Sequence, residues 1–435
     1  MVSPIRFRFR LLLIFYQAPR KRLLIIGFIV ATSLYLVAAG WFGTGFHRQG
    51  YDDDDVSFAA AAANANSVGG VQSNKPPLTS SNKRVLLVSA LYPLSKSKHS
   101  LEDYRWWLWN YLGHVKTDIY FFAPPALHDL VTQARPKPDE ANSKEGSNFF
   151  LKLNTTYPTV FDVPPLKGLQ QSYEEIHAKD RERSYHSAEL YAVWNAKPFF
   201  LKEGLREMKE TWGRDYDYAF WVDAGSFRES PHKYEDWPDP ARVEEVFAHS
   251  SSEDSIFIPM HGMPSFKWRK WKEEMGPVDQ DISEGSFFGG SHKAIEWYTS
   301  TFYTYHDHYL SLGHFVGKDQ TLINAILLLF PDRFTAVFWR DITQRGFVRT
   351  YIGSACGGEW WYYQFFLANS QTRTEMEKIW LGKQSNRQKK VQEWLVGKPQ
   401  CPLVPPLTLK EVLYRAFGPY WKPVPATVVP KKHVW

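Results

Sequence analysis

The sequence contains little cysteine and little net charge beyond its N-terminal region. Only two of its 435 residues are cysteines. Cys356 and Cys401 are too few for a zinc cluster, and they either pair in an oxidising compartment or remain as buried thiols. The net charge is +6, but residues 1–50 hold seven Lys or Arg and no acid, which leaves 45 basic against 46 acidic side chains elsewhere. Because a nucleic-acid-binding domain needs surplus cations to displace counterions from phosphates, this balance argues against one.

Several familiar nucleotide-binding and hydrolase motifs are absent as well. The sequence has no G-x-x-x-x-G-K-[ST] P-loop, no G-x-G-x-x-G dinucleotide fingerprint, no G-x-S-x-G elbow and no H-E-x-x-H zinc motif. Aromatic residues are abundant, at 16% of the chain with 18 Trp, which indicates a well-filled core and an aromatic-lined cleft. The hydrophobic content of 44% and the charged content of 23% are those of a globular protein.

A long uncharged run near the N-terminus indicates a membrane anchor. Residues 23–46 carry no charged side chain, and a helix of that length extends roughly 36 Å, enough to cross a hydrocarbon core of about 30 Å. Basic residues 20–22 precede the run, so the positive-inside rule places residues 1–22 in the cytosol and the rest of the chain across the membrane. The alternative is a cleaved signal peptide, because residues 38–40 (AAG) resemble a cleavage site.

Beyond the anchor the sequence divides into a stem, a domain and a tail. Residues 47–82 are rich in Ala, Asn, Ser, Gly and Asp without apolar periodicity, which predicts a flexible stem. We predict a luminal α/β domain over residues 83–400 and a proline-rich C-terminal tail over residues 401–435. Asn154 begins the single N-glycosylation sequon, Asn-Thr-Thr, and a luminal location would allow its use.

The apolar pattern after residue 83 predicts a mainly parallel sheet flanked by helices. Residues 85–90 form a continuous apolar run, residues 101–112 a helix capped by Ser100, and residues 118–123 a second apolar run. Strand, helix and strand in this order are typical of a parallel β-α-β unit. Further strands are predicted over 216–222, 255–259 and 285–288, and helices over 187–209 (broken or restarted at Pro198), 293–312, 320–330 and 407–417.

The segment FWVDAGSFR, which ends at Arg228, offers the strongest candidate for a functional site. An apolar strand runs directly into Asp223, so the carboxylate lies at the carboxyl end of a parallel strand, where open α/β sheets bind ligands. Gly225 lets a ligand approach the backbone closely. A carboxylate in this place can hold a divalent cation or a ribose hydroxyl. The alternative is an Asp that caps the following turn.

Two further segments contribute carboxylates. In EGSFFGG, which begins at Glu284, a glycine-flanked Phe pair predicts strand edges near a ligand with the Glu pointing into the cleft; the alternative is a β-turn with a surface Glu. In GKDQTLIN, which begins at Gly317, Asp319 is predicted to N-cap the helix that follows. If Asp319 is only a cap, neither Lys318 nor Gln320 needs a functional role.

A fourth segment, SKSKHS, follows the first predicted strand. Lys96, Lys98 and His99 lie in a loop before a helix N-terminus, where amides and cations converge and could meet a diphosphate. The alternative is a solvated surface loop.

Taken in order, the segments LYPLSKSKHSLEDYRWWLWNYL, VDAGSFR, EGSFFGG and GKDQTLINAI resemble the HtrL/YibB-like (WlaTC/HtrL) proteins over about residues 84–350. That family is similar to nucleotide-sugar-dependent glycosyltransferases of the GT-A fold, so the resemblance implies a Rossmann-type sheet that binds a sugar nucleotide. It also implies that Asp223 occupies the place of the D-x-D carboxylates that hold Mn²⁺ or Mg²⁺, although Asp-Ala-Gly supplies one carboxylate instead of two. Residues 318–324 look like the GDQ-x-x-x-N segment of glycogenin-type transferases.

Together these features predict a Golgi type II glycosyltransferase that moves a sugar from a nucleotide donor to a glycan or glycoprotein acceptor. The leaving diphosphate would be stabilised by a metal ion or by basic side chains, and in an inverting reaction a carboxylate would deprotonate the acceptor hydroxyl. The predicted site residues are Asp223, Gly225, Arg228, Lys96, Lys98 and His99 for the donor, Asp319 and Glu284 for catalysis, and Gly289, Gly290, Lys318 and Gln320 on the acceptor side.

Two other functions stay open at this point. A catalytically silent luminal domain that binds glycans or proteins is favoured by the missing second carboxylate. A luminal glycosidase would need two carboxylates about 5–10 Å apart, for which Asp223 and Glu284 are candidates.

Overall fold

A computed structural model describes residues 81–135, 150–250, 254–339, 357–384, 401, 403–433 and 435. The predicted anchor over residues 23–46, the cytosolic tail and nearly all of the stem lie outside these ranges. Within them, no helix combines the length and the apolar character that crossing a membrane requires. The anchor therefore stays a prediction.

The centre of the fold is a mixed sheet of eight strands. They are β1 (Val85–Ala90), β2 (Asp118–Phe122), β3 (Leu151–Asn154), β4 (Tyr218–Val222), β5 (Ile256–Met260), β6 (Phe287–Ser291), β7 (Phe334–Phe338) and β8 (Leu407–Thr408). Their order across the sheet is β3-β2-β1-β4-β6-β5-β7-β8, and all run in one direction except β6 and β8. This confirms the predicted α/β class with a mostly parallel sheet.

Helices cover both faces of the sheet. The described helices are α1 (Leu101–Leu112), α2 (His128–Ala134), α3 (Gln170–His177), α4 (Ala188–Glu210), α5 (Pro240–Ala248), α6 (His292–Ser311), α7 (Asp319–Leu329), α8 (Tyr362–Phe366), α9 (Ser370–Gly382) and α10 (Leu409–Phe417). Helices α3, α4, α6, α7 and α10 pack in one core, and α1, α2, α5, α8 and α9 pack in the other. Successive residues of β1 alternate between the two cores, which explains its continuous apolar run.

The first β-α-β unit follows its sequence signals closely. Helix α1 has the predicted bounds, and Ser100 caps it by accepting a 3.1 Å hydrogen bond from the Asp103 backbone N–H. The Asp103 carboxylate in turn accepts a 2.8 Å bond from the Ser100 N–H, which completes a capping box. The prediction of helix and cap is confirmed.

The predicted break at Pro198 is wrong, because α4 continues through it from Ala188 to Glu210. Proline lacks an N–H and usually disturbs the hydrogen bonds of the preceding turn. Here the Tyr303 hydroxyl from α6 enters that turn. It donates a 2.7 Å bond to the Asn195 carbonyl and accepts a 3.2 Å bond from the Phe199 N–H. The backbone groups left open near the proline are therefore satisfied by a neighbouring helix.

The proline-rich C-terminal region belongs to the same folded unit as the sheet. Strand β8 pairs with β7, α10 is buried in the core, and Trp435 packs edge-on against Phe199 and Tyr303. Cys401 is buried and disulfide-bonded; Cys356, the other cysteine of the sequence, lies outside the described residues.

The strand order creates one crevice suited to a ligand. Strand β1 pairs with β2 on one side and with β4 on the other, so the connections leave it in opposite directions. Open α/β sheets bind ligands at such a switch point, outside the carboxyl ends of the strands.

Candidate active site

A cleft opens at the carboxyl ends of β1 and β4. Its volume is about 580 Å³ when the open solvent at its mouth is included. Its polar lining includes Lys197, Asp223 and Arg228, and its aromatic lining consists of Tyr92, Tyr104, Trp194, Trp221 and Trp361. The expected aromatic-lined cleft is therefore present beside the strongest sequence motif.

The ammonium of Lys197 is the centre of the charged groups at this cleft. It lies 3.2 Å from Asp223 Oδ1 and 3.0 Å from Asp319 Oδ2, and it donates a 2.9 Å hydrogen bond to the Gly285 carbonyl. Burial lowers the pKa of Lys197, but Asp223 and Asp319 together raise it by more, so the net direction is upward. Lys197 therefore stays charged, and its ammonium lines the cleft while paired with two carboxylates.

The sequence analysis missed Lys197, although a signal for it exists. On α4 it occupies the same face as Leu190, Val193 and Leu201, one and two turns away, so it is a lysine on an apolar stripe. Lysine is rarely buried without a partner, and its side chain here is 4% exposed. Such a position predicts a carboxylate partner elsewhere in the chain.

Asp223 lies where the sequence predicted, directly after β4. Its backbone N–H donates a 2.9 Å bond to the Ser286 carbonyl, and its Oδ1 accepts a 2.6 Å bond from Trp221 Nε1. Oδ2 has no hydrogen-bond partner among the described residues. Since the side chain is 33% exposed and lines the cleft, Asp223 presents a carboxylate oxygen to a ligand.

The N-cap predicted at Asp319 is wrong. Lys318 is the N-cap of α7 and makes no side-chain cap bond, whereas Asp319 is the first helical residue. Its Oδ1 accepts a 2.8 Å bond from the Gln320 N–H, and its Oδ2 pairs with Lys197. Asp319 is 3% exposed and does not line the cleft, so it acts as a buried counter-ion.

Glu284 is a buried carboxyl group beside the same cluster. It is 7% exposed, its Oε1 accepts a 3.3 Å bond from the Ser286 N–H, and its Oε2 has no partner within the described ranges. Burial is the main reason why the pKa of Glu284 is raised to about 8, and the Asp223 charge adds to the effect. Glu284 is therefore protonated at neutral pH, and it lies behind the cleft instead of pointing into it.

Arg228 supplies a positive charge at the mouth of the cleft. Its guanidinium lies 4.3 Å from the Trp107 ring centroid and 5.3 Å from that of Trp361, and its Nε donates a 2.9 Å bond to the Gly225 carbonyl. A side chain at Gly225 would place its Cβ 3.1 Å from Trp107, which explains the glycine. The terminal nitrogens of Arg228 have no acceptor in the described part of the chain. They are free to bind an anion.

The predicted basic loop after β1 lies at the edge of this region. Lys96 and Lys98 are exposed and do not line the cleft, and Lys96 reaches only the Arg183 carbonyl at 3.5 Å. His99 packs edge-on against Trp107 at 4.9 Å. Burial lowers the pKa of His99, and Arg228 lowers it further. Of the three, His99 alone is close to Arg228.

The residues predicted on the acceptor side make contacts within the fold and do not line the cleft. Gly289 and Gly290 are inside β6, where a Cβ would come within 2.1 Å of the Ala219 carbonyl and 2.6 Å of the Ser255 carbonyl, so sheet packing alone requires glycine. Lys318 pairs with carboxylates outside the cleft, and Gln320 Nε2 donates a 2.7 Å bond to the Ser283 carbonyl.

The predicted glycosylation site is enclosed. Asn154 ends β3 and is 8% exposed. Its Nδ2 donates a 2.9 Å bond to the Tyr120 hydroxyl, and its Oδ1 accepts a 2.8 Å bond from the Thr156 N–H. Glycosylation replaces one of the two hydrogens on Nδ2, so a glycan at this position would have to fit beside a buried side chain.

Metal-ligating side chains gather at a second place as well. Among the described residues, Asp180, Glu182 and His186 bring their ligand atoms within 4.8 Å of one another. Asp180 Oδ2 already accepts bonds of 2.6 Å from His186 Nδ1 and 2.7 Å from the Tyr191 hydroxyl. These bonds account for the cluster without a metal ion.

No protein-family model matches the chain, and no curated protein matches its sequence. The resemblance to HtrL/YibB-like proteins therefore stays a prediction that rests on the four segments named above.

Proposed function

We propose that the chain is a nucleotide-sugar-dependent glycosyltransferase with a GT-A-like nucleotide-binding sheet. The observation that carries the proposal is the cleft at the β1/β4 switch point, where Asp223 and the Arg228 guanidinium both offer unpartnered atoms to a ligand. The strand order β3-β2-β1-β4 matches the first four strands of the doubly wound dinucleotide-binding order 3-2-1-4-5-6, which supports a nucleotide at this place.

In this proposal Arg228 binds the diphosphate of the donor. Two free guanidinium nitrogens match phosphate oxygens, and the two Trp rings hold the guanidinium in place before the ligand arrives. When the bond between the anomeric carbon and the diphosphate breaks, the diphosphate leaves with the electron pair. Arg228 and the fixed Lys197 charge then stabilise the developing negative charge.

Asp223 is the carboxylate that contacts the substrate. A general base must come within hydrogen-bond reach of the proton that it removes, and Glu284 and Asp319 do not line the cleft. In an inverting transfer the acceptor oxygen attacks the anomeric carbon, and its proton passes to Asp223. This assignment replaces the predicted roles of Glu284 and Asp319 as bases.

The experiment that tests the function is a thermal-shift screen of the purified full chain against a panel of sugar nucleotides. Ligand at a hundred times its Kd stabilises the folded state by about 2.7 kcal/mol. We expect a shift for one nucleotide class, a smaller shift in Arg228→Gln, and release of nucleoside diphosphate when acceptor is added. Absence of any shift across the panel would contradict the proposal.

The second candidate is a catalytically silent domain that binds glycans. The observation in its favour is that Asp223 alone among the three clustered carboxylates lines the cleft. Stabilisation by oligosaccharides without release of nucleoside diphosphate would support this candidate. The same observation disfavours a glycosidase, because that reaction needs two carboxyl groups at the substrate.

We also propose a type II orientation in the Golgi membrane, with the domain after residue 46 in the lumen. The support is the sequence alone, namely the basic residues before the apolar run. Protease added to intact microsomes is expected to spare the domain, and digestion there would reverse the orientation.

A further inference from the structure

The oxygens around Lys197 form a ligand set for a hard cation. Two carboxylates from different elements, Asp223 after β4 and Asp319 at the start of α7, face one point together with the Gly285 carbonyl. Carboxylate and carbonyl oxygens are the ligands that Mg²⁺ and Ca²⁺ take in proteins. In this chain the ammonium of Lys197 occupies the position between these oxygens.

A divalent ion does not fit beside this ammonium. Asp223 Oδ1 is engaged by Trp221 Nε1 and Lys197, and Asp319 Oδ2 faces Lys197 from inside the protein. Among the described residues Asp223 Oδ2 has no partner, and it remains at the cleft. Because the ammonium already pairs with this carboxylate, a dication at Oδ2 would gain less from Asp223 and would also be repelled by Lys197.

We propose that Lys197 takes the place of a divalent metal ion in this chain, so that donor binding and sugar transfer proceed without one. Lys197 and Arg228 then supply the positive charge that faces the leaving diphosphate. The part about transfer rests on the proposed function, whereas the part about the cation site does not.

The position of Lys197 distinguishes this role from that of a buried structural ion pair. The side chain lines the cleft, and its partner Asp223 is one-third exposed there. Removal of the ammonium would therefore leave two carboxylates and a carbonyl that a cation can reach from solvent. The inference predicts that loss of the lysine creates a divalent metal site.

The first arm of the test uses the unmodified full chain. Binding of Mn²⁺ is measured from the electron paramagnetic resonance signal of the free ion, with and without a chelator in the sugar-nucleotide screen. We expect no Mn²⁺ binding that depends on Asp223, and equal nucleotide affinity in the chelator. Stoichiometric Mn²⁺ binding that Asp223→Asn abolishes would overturn the inference, whatever the behaviour of other variants.

The second arm uses Lys197→Met, with Lys318→Met as the matched control. Lys318 is also a lysine between two carboxylates, but it lies outside the cleft. We expect Lys197→Met to bind one Mn²⁺ at least tenfold more tightly than Lys318→Met, and the double variant with Asp223→Asn to lose that site. A folded Lys197→Met that binds no Mn²⁺ would overturn the inference, and a variant that folds only with Mn²⁺ would support it. If it folds under no condition, the first arm decides.

The two arms separate this inference from the proposed function. Metal binding is measured without turnover, so a gained site in Lys197→Met holds even if no sugar nucleotide binds. Conversely, a chain that binds a sugar nucleotide only with Mn²⁺ keeps the proposed function and loses the inference.

Discussion

Two lysines of this protein each lie between two carboxylates, and the comparison between them shows what burial changes. The ammonium of Lys197 is 3.0 and 3.2 Å from its partners, and that of Lys318 is 3.2 and 3.4 Å from its own. The side chain of Lys197 is 4% exposed and that of Lys318 16%. The exposure of the carboxylate partners differs more. The side chains of Glu182 and Asp281, which pair with Lys318, are 49% and 56% exposed, whereas Asp319, which pairs with Lys197, is only 5% exposed.

The sequence motifs led us to select Lys318 and not Lys197. Lys318 stands in a motif beside Asp319 and was predicted on the acceptor side, yet its carboxylates are solvated and its charge is screened. Lys197 stands among apolar residues of α4, and its charge is felt at the cleft because little water surrounds it. The effect of a charge on the cleft therefore depends on its burial more than on its neighbours in sequence.

The largest expected difference between the two lysines is in stability. Lys197→Met leaves Asp319 buried without its counter-ion, which costs about 3–5 kcal/mol. Lys318→Met removes pairs with exposed carboxylates, which costs about 1 kcal/mol or less. Urea unfolding of both variants in metal-free buffer checks this. Equal losses would mean that burial of the Lys197 cluster has little energetic effect.

The second expected difference between the surroundings of Lys197 and those of Lys318 is the pH dependence of stability. The folded pKa of Glu284 is about 8, above an unfolded value near 4.5, so its stabilising effect is complete below pH 4.5 and is lost as pH rises towards 8. The loss approaches about 1.4 kcal/mol per pH unit inside this window. Unfolding measured at several pH values should show the slope in the unmodified chain and not in Glu284→Gln.

In the cluster of Asp180, Glu182 and His186 near Lys318, the contribution to stability changes with pH in the opposite direction. The pKa of Asp180 is lowered, since hydrogen bonds from Glu182, Tyr191 and His186 outweigh the effect of burial. Its contribution is therefore present at neutral pH and is lost as pH falls below its unfolded value near 4. Asp180→Asn should reduce stability at pH 7 by more than at pH 3, as urea unfolding at the two pH values would show.

The third prediction concerns turnover. Asp223→Asn removes the carboxylate at the cleft and should lower kcat/KM about a hundredfold, the low end for a general base and about 2.7 kcal/mol. Asp281→Asn removes an exposed partner of Lys318 and should change kcat/KM less than twofold. Steady-state kinetics with melting curves for both variants check this. A stable Asp223→Asn with full turnover would remove Asp223 from the mechanism.

Local signals predicted most of the fold. The N-cap at Ser100, the continuous apolar run of β1 and the apolar strand before Asp223 each depend on neighbouring residues, and each prediction is confirmed. The prediction at Pro198 failed because Tyr303, from another helix, completes the broken turn. A contact over such a distance in sequence leaves no local pattern.

The candidate residues could be selected from the sequence, but the contacts between them could not be predicted from it. Glu284 approaches Asp223 because β6 enters the sheet antiparallel beside β4, and no feature of EGSFFGG specifies that direction. Asp319 was singled out as a candidate, but its partner is 122 positions away in sequence at Lys197. Strand order and long-range pairing thus decide which of the candidate carboxylates reaches the cleft.

The smallest expected effect concerns the two arginines that lie near the two lysines. Arg228 lies between two Trp rings, and its terminal nitrogens have no acceptor within the described ranges, whereas Arg181 pairs with Asp279 at 2.7 Å. Arg228→Gln should weaken sugar-nucleotide affinity about tenfold, equal to about 1.4 kcal/mol and close to the value of one charge-assisted hydrogen bond. Arg228→Lys should recover part of this loss, because lysine keeps the charge but not the planar fork that stacks on the rings. Arg181→Gln should bind as the unmodified chain does. Calorimetric titration of the three variants measures the effect, and equal affinity in Arg228→Gln would place the diphosphate away from Arg228.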